Sequence, residues 1–275
     1  MRKKGEKSSH KRKRGEFSHG RIAEKKRSVR KANTGDFVSG KKDKHERVAV
    51  GIKNFDAMIQ GGFEKNSTNL LVGGSGSGKT IFATQFLLEG MKRGENCLYV
   101  TFEEKKEQFY QNMASMGWKL EDYEKKGLFT FLEYTPIKVK TMLEEGGGAI
   151  ESIILKKKIT RIVIDSITSF ALLFQDEPER RSAALSLFGM IRAWNATALL
   201  TLEEDPSEDG AISSGAMKFE SDSLIVLYFI RKKEFRERFL EVIKMRGTKH
   251  SNRVYSFELN SGIDLKKTPV SGFFD

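Results

Sequence analysis

Residues 73–80 read Gly-Gly-Ser-Gly-Ser-Gly-Lys-Thr, and no other stretch restricts the possible fold as tightly. The spacing is G-x-x-x-x-G-K-[ST]. Glycines at these places let the backbone turn sharply, so that successive N–H groups point into one concavity that suits an anion. Lys79 has the reach for β- and γ-phosphates, and the Thr80 hydroxyl can ligate Mg²⁺. A helix starting near Gly78 adds its positive end to the same spot. Gly74, Ser75, Gly76, Ser77, Gly78, Lys79, Thr80 and Ile81 are therefore the candidate contacts for ATP. A flexible glycine linker would lack the flanks seen here. The strand-like run Asn69-Leu70-Leu71-Val72 precedes the motif. The helical run Ile81, Phe82, Phe86, Leu87, Leu88, Met91 follows it and closes at Gly94.

From Arg47 onward the pattern alternates between β and α. It predicts a short helix over 52–59, a strand over 69–73 and a helix over 79–92. A strand over 97–102 and a helix over 104–116 come next, then a strand over 128–132 and a helix from about 139 to 157. A strand over 161–165, a helix from about 178 to 195 and a strand over 197–202 follow. Four core strands are near-continuous apolar runs, as a parallel sheet covered on both faces requires. Beyond them, 223–230 and 238–245 read as neighbouring strands joined by a charged turn at 231–237, with one more strand over 254–259. The expected class is α/β: one P-loop nucleotide domain with a doubly wound, mostly parallel sheet. Antiparallel strands at one edge complete a three-layer α/β/α sandwich over residues 47–275.

The net charge of +12 is confined to one end. Residues 1–46 carry 17 Lys+Arg against 6 Asp+Glu, a net of +11, whereas 47–275 carry 32 against 31. The tail has few large apolar residues and is expected to be disordered. It has neither the apolar core of a secretory signal nor the amphipathic face of a transit peptide. No stretch approaches the ~20 apolar residues of a membrane span. Cys97, the single cysteine, falls in a core strand and reads as a buried small hydrophobe. The expectation is a cytoplasmic protein.

Ligands of open α/β sheets sit beyond the carboxyl ends of the strands. Asp165 ends the run Ile162-Val163-Ile164 and is placed to hold Mg²⁺, although it could equally cap the following helix. Glu103 and Glu104 end the second core strand, expected beside the P-loop strand, where a carboxylate can orient or deprotonate a water. The same pair could instead only favour a helix start. Thr201 and Glu203 end the fourth strand and could sense a γ-phosphate. Lys244, Arg246, Thr248 and His250 alternate at a period of two, so in an extended segment they share one face. Such a face suits a polyanion, and it also suits a solvated edge strand.

These residues resemble the single-domain, archaeal-type relatives of KaiC within the RecA/RadA superfamily of P-loop ATPases. The matching stretches are 68–80, Tyr-Val-Thr-Phe-Glu-Glu (99–104), Ile-Val-Ile-Asp-Ser-Ile-Thr-Ser (162–169), Ser-Asp-Ser-Leu-Ile-Val-Leu (221–227) and Leu-Glu-Val-Ile-Lys-Met-Arg-Gly-Thr-Lys-His (240–250). The resemblance implies a RecA-like P-loop NTPase fold and a Mg²⁺-dependent ATPase forming a hexameric ring. It makes Glu103 and Glu104 catalytic and links Thr80 and Asp165 to magnesium. It makes Lys244, Arg246, Thr248 and His250 contacts to the ATP of the next subunit. Lys218 and Phe219 stand where the clock protein's phosphorylated hydroxyl residues would be, which argues against clock-type self-phosphorylation.

Two functions compete at this level. One is a nucleotide-switched ring ATPase regulating an unidentified protein partner. The other is a DNA-binding recombinase or recombinase mediator. The basic tail 1–46 would suit nucleic acid or another polyanion. The loop 203–215 carries Glu203, Glu204, Asp205, Glu208 and Asp209 and no Lys or Arg, which opposes DNA binding there.

Overall fold

The computed structural model describes residues 46–271 apart from 136, 139, 142–147, 175 and 207–214. The basic tail and most of the acidic loop lie outside the described residues. A short antiparallel pair, β1 (Arg47–Val48) and β2 (Phe63–Glu64), brackets α1 (Lys53–Met58). The chain then enters the main sheet with β3 (Thr68–Gly73), all six residues of which are buried. The motif turn leads into α2 (Lys79–Lys92), then β4 (Cys97–Thr101), α3 (Lys106–Ser115), α4 (Leu120–Lys125) and β5 (Phe129–Glu133). After α5 (Gly148–Lys157) come β6 (Arg161–Asp165), α6 (Thr168–Ala171), α7 (Glu177–Ala193) and β7 (Thr197–Glu203). A short α8 (Gly215–Glu220) precedes β8 (Ser223–Lys232), β9 (Phe235–Met245), β10 (Tyr255–Leu259) and β11 (Ile263–Pro269).

The nine strands lie in the order β11-β10-β9-β8-β3-β7-β6-β4-β5. β8 through β5 run parallel to one another, and β9, β10 and β11 add on antiparallel. Strand alternation divides the core between two faces. Leu71, Tyr99, Val163, Leu199 and Ile225 pack with Phe82, Phe86, Phe109 and Tyr110 of α2 and α3. Leu70, Val72, Leu98, Ile162, Ile164 and Leu200 pack with Ile150, Ile154, Leu187, Phe188 and Ile191 of α5 and α7. Apolar runs without a polar face are what this double covering demands. The α/β, doubly wound, three-layer expectation is met.

α7 starts where a proline suits a first turn, and the Asp176 carboxylate accepts from the Glu179 N–H, 2.8 Å away, as its N-cap.

Several local expectations need correction. β4 does not neighbour β3, because β7 and β6 lie between them. Local patterning carries no information on lateral strand order, which crossover geometry sets. The hairpin turn is two residues, Lys233 and Glu234, with Lys233 at φ 53°, rather than 231–237. Charged residues there continue the strands where they stand clear of the core. β11, a partly exposed edge strand ending in Pro269, has no clear apolar alternation beyond Leu265. Lys244, Arg246, Thr248 and His250 do not form one extended face. β9 ends at Met245, and Arg246 and Gly247 form a turn with Gly247 at φ 64°. Among the described residues no helix is long and apolar enough to cross a membrane.

Candidate functional site

The motif turn sits at the carboxyl end of β3, where it opens a cleft of about 420 Å³. Gly76 and Gly78 take φ of +74° and +105°, a region side chains resist, and so allow the turn. Gly78 passes directly into α2, whose first N–H groups face the cleft region.

Lys79 is only 8% exposed. Its ammonium donates to the carbonyls of Gly73 at 2.9 Å and Gly74 at 3.0 Å and lies 4.0 Å from Glu203. Burial lowers its pKa, while Glu203 and Asp165 oppose that. A buried cation whose bonds go only to carbonyl oxygens suits a strong anion.

Asp165 is the hub of the pocket floor. Its Oδ2 accepts from the Thr80 hydroxyl at 2.8 Å and the Tyr99 phenol at 2.6 Å, and its Oδ1 accepts from the Thr201 hydroxyl. Burial and then the Asp165 charge push the Tyr99 phenol well above its usual range, so Tyr99 remains a donor. No cluster of three or more His, Cys, Asp or Glu able to hold a metal occurs among the described residues. One carboxylate and one hydroxyl are what Mg²⁺ takes from protein when phosphate and water complete its shell. Thr80 and Asp165 therefore fit Mg²⁺ alongside a bound triphosphate, and not an isolated ion.

Glu103 and Glu104 line the same cleft although their strand stands three places from β3. The Thr101 hydroxyl accepts both of their backbone N–H groups, at 3.2 and 3.1 Å, and fixes the bend that turns them inward. The Glu103 carboxylate accepts from the hydroxyls of Ser169 and Ser166. Glu104 accepts one bond, 2.7 Å from the Asn112 amide. Burial raises the Glu104 pKa, Asn112 opposes this, and Asp165 adds to it.

Ser75, Gly76, Gly78, Ile81 and Glu203 complete the wall, while Ser77 is fully buried beneath the turn and Gly74 touches Lys79 through its carbonyl. Thr201 lies buried behind Asp165. Sequence reasoning missed Arg238. Its Nε donates to the Gly76 carbonyl at 3.1 Å, and its guanidinium lies 4.2 Å over the Phe229 ring at the rim. It sits in a charged run, so nothing local distinguishes it from Arg236. Leu259 of β10, which also lines the cleft, was equally unmarked.

The remaining four candidates lie elsewhere. Lys244 donates to the Lys218 carbonyl, and Arg246 donates to the Phe219 carbonyl at 2.6 Å and approaches Asp222 at 3.4 Å. The Thr248 hydroxyl accepts from Arg47 at 2.6 Å, and the His250 ring lies 2.9 Å from the Ser251 carbonyl. β8 runs parallel to β3, and Lys244 pairs with Leu224 near the start of β8. These groups therefore sit at the amino end of the sheet, opposite their own P-loop.

Comparison with known proteins agrees with this architecture. The ATPase family model described as KaiC matches residues 48–269. The circadian clock protein KaiC3 of Synechocystis is 33% identical over 243 residues, covering 86% of this chain and 48% of that protein. A UPF0273 protein of Pyrococcus horikoshii is 34% identical over 227 residues, covering 78% of this chain and 90% of its own. The crystal structure of a KaiC-like protein from the same archaeon superposes with a TM-score of 0.71 at 34% identity, covering 80% of this chain and 99% of that one. The chain thus spans about half the length of the clock relatives and nearly all of the archaeal ones. With a P-loop over a buried lysine, a carboxylate hub and a family match across the whole sheet, this chain belongs to the KaiC ATPase family.

Proposed function

We propose that the chain is a slow, Mg²⁺-dependent ATPase that works as a homo-oligomeric ring, its nucleotide state regulating a protein partner. One observation carries this most directly. Lys79 and Thr80 at the start of α2, Asp165 at the end of β6 and the two glutamates just past β4 converge on a single cleft. The P-loop amides and Lys79 would hold the phosphates. Thr80 and Asp165 would hold Mg²⁺, which supplies charge neutralisation at the transferring phosphoryl group. Glu104 would take the proton from the attacking water, since its raised pKa and single hydrogen bond suit a base. Glu103, held by two serine hydroxyls, would orient that water.

The ring reading rests on distance. Lys244 pairs with Leu224, three residues before the P-loop-level Leu227, and Arg246 stands beyond it. That places the cations roughly 10 Å or more along the sheet from their own phosphate site. If they meet a phosphate, it belongs to a second copy, as an arginine finger in trans would. Thr248 and His250 would flank that contact. The tail 1–46 would be a separate polyanion-binding arm on the domain 47–275.

The test is the Lys79→Ala variant. Titration with labelled ATP should show no binding while circular dichroism and thermal unfolding stay close to the parent. Retained affinity in a folded Lys79→Ala protein overturns the site.

A further inference from the structure

A second cleft, of about 350 Å³, lies between the end of α2 and the corner joining α3 to α4. Its lining is Leu88, Lys92, Gly117, Trp118, Lys119, Asp122, Tyr123 and Lys126. It shares no residue with the P-loop cleft. Leu88 stands nine residues after Lys79 on α2, which separates the two by roughly 13 Å along that helix. The volume lies in the range of about 300–1,000 Å³ usual for small-ligand sites.

Its chemistry is lopsided. Three lysines, Lys92, Lys119 and Lys126, line it, and none of them has a carboxylate partner among the described residues. The Trp118 indole N–H and the Tyr123 hydroxyl likewise have no hydrogen-bond partner among the described residues. The cleft therefore presents three ammonium groups, an indole N–H and a phenol against one carboxylate, Asp122. Both rings are half-buried and pack against the core, so they form a fixed aromatic side to an otherwise polar cleft. The Trp118 ring runs close to Gly262, where a Cβ would meet it at 3.2 Å, and Lys126 lies 5.7 Å over the Tyr123 ring.

We propose that this cleft is a second site that takes a nucleoside phosphate, the base against Trp118 and Tyr123 and the phosphate against the three lysines. A rigid aromatic wall offers any base a stacking surface, and excess donors match an oxyanion. The source is either a free nucleotide or one residue of a single strand. The inference is independent of the P-loop mechanism.

Trp118 is its own reporter, since the only other tryptophan, Trp194, is 6% exposed and packs in the opposite core layer. The full chain is titrated with UMP while tryptophan fluorescence is read. Quenching is expected, and Lys79→Ala should leave it unchanged. The triple variant Lys92→Glu, Lys119→Glu, Lys126→Glu should bind about tenfold or more weakly, with its circular dichroism preserved. Ribose 5-phosphate, which has no base, should displace UMP from the quenched complex only at higher concentration than unlabelled UMP-sized nucleotides such as CMP. A preference for penta-uridylate over UMP that the triple variant loses assigns the site to a strand, and equal affinity or a preference that the triple variant keeps assigns it to the free nucleotide. The proposal is overturned if UMP does not quench, if the triple variant quenches equally, if Lys79→Ala abolishes the signal, or if ribose 5-phosphate displaces UMP as well as CMP does.

Discussion

Arg238 and Lys244 stand on the same strand, β9, but serve opposite ends of the molecule. Arg238 pairs with Phe229 and donates to the Gly76 carbonyl of its own P-loop, while Lys244 pairs with Leu224 and donates to the Lys218 carbonyl at the far end of the sheet. A single stiff element thus joins the rim of one nucleotide cleft to the surface proposed to meet the next.

That arrangement gives a test by mixing. Arg246→Ala should lower turnover by on the order of 10³-fold and leave nucleotide affinity unchanged. Combining Arg246→Ala chains with Lys79→Ala chains should restore activity, because the intact P-loop of one faces the intact finger of the other. A mixture no more active than its parents would remove the trans role.

The two glutamates should separate by pH and by substitution. As the proposed base Glu104 would act deprotonated, and burial lifts its pKa above the ordinary 4.5, with Asp165 adding to the shift. Activity should fall as pH drops through that raised value. Asn112→Leu removes the one bond that lowers it, so the acid limb of kcat/KM should move to higher pH. Glu104→Gln should cost about 10²-fold or more in kcat, and Glu103→Gln less. Because the folded-state pKa is raised, ionised Glu104 opposes folding at neutral pH, so Glu104→Gln should not destabilise the chain.

Tyr99→Phe keeps the ring stacked on Phe131, 5.5 Å between centroids, and deletes only the hydroxyl on Asp165. Stability should drop by about 1 kcal/mol. The Mg²⁺ concentration giving half-maximal turnover should rise. An unchanged Mg²⁺ dependence would show that Asp165 needs no orienting phenol.

Arg161 is the largest of the fully buried side chains among the described residues. It donates to Glu95 through Nε and Nη2, each at 2.7 Å, and to the carbonyls of Ala49 and Phe86 through Nη1. Arg161→Met should cost about 3 kcal/mol in denaturant unfolding, since those carbonyls lose their donor. Burial raises the Glu95 pKa but the Arg161 bonds and charge more than offset it, giving a net lowering. The pair's stabilisation is therefore present above the ordinary carboxylate pKa and lost as pH falls below it. Arg161→Met should abolish that part of the acid sensitivity.

Deleting residues 1–46 should remove salt-steep nucleic-acid binding and leave ATP hydrolysis unchanged. If six or more phosphates are contacted, the parent's affinity should fall by about 10³ between low and physiological salt. Equal DNA affinity after deletion would clear the tail of that role.

Sequence alone determined the elements whose information is local. The P-loop at 73–80 needs glycine dihedrals and an adjacent lysine and threonine, all contiguous. The parallel core strands announced themselves as apolar runs, and Asp165 and the Glu103–Glu104 pair were legible because each ends such a run. Tertiary structure decided whatever depends on lateral placement. The order that puts β7 and β6 between β3 and β4 follows from crossovers, which no single strand encodes. Arg238 and Leu259 reach the cleft only because β9 and β10 fold back beside the P-loop. The split of Lys244 and Arg246 from their own phosphate site follows from the antiparallel return of β9, and the period-two pattern failed because Gly247 turns the chain. Short-range patterning fixes which face a residue takes, but which residues meet across a sheet is settled only by packing its layers together.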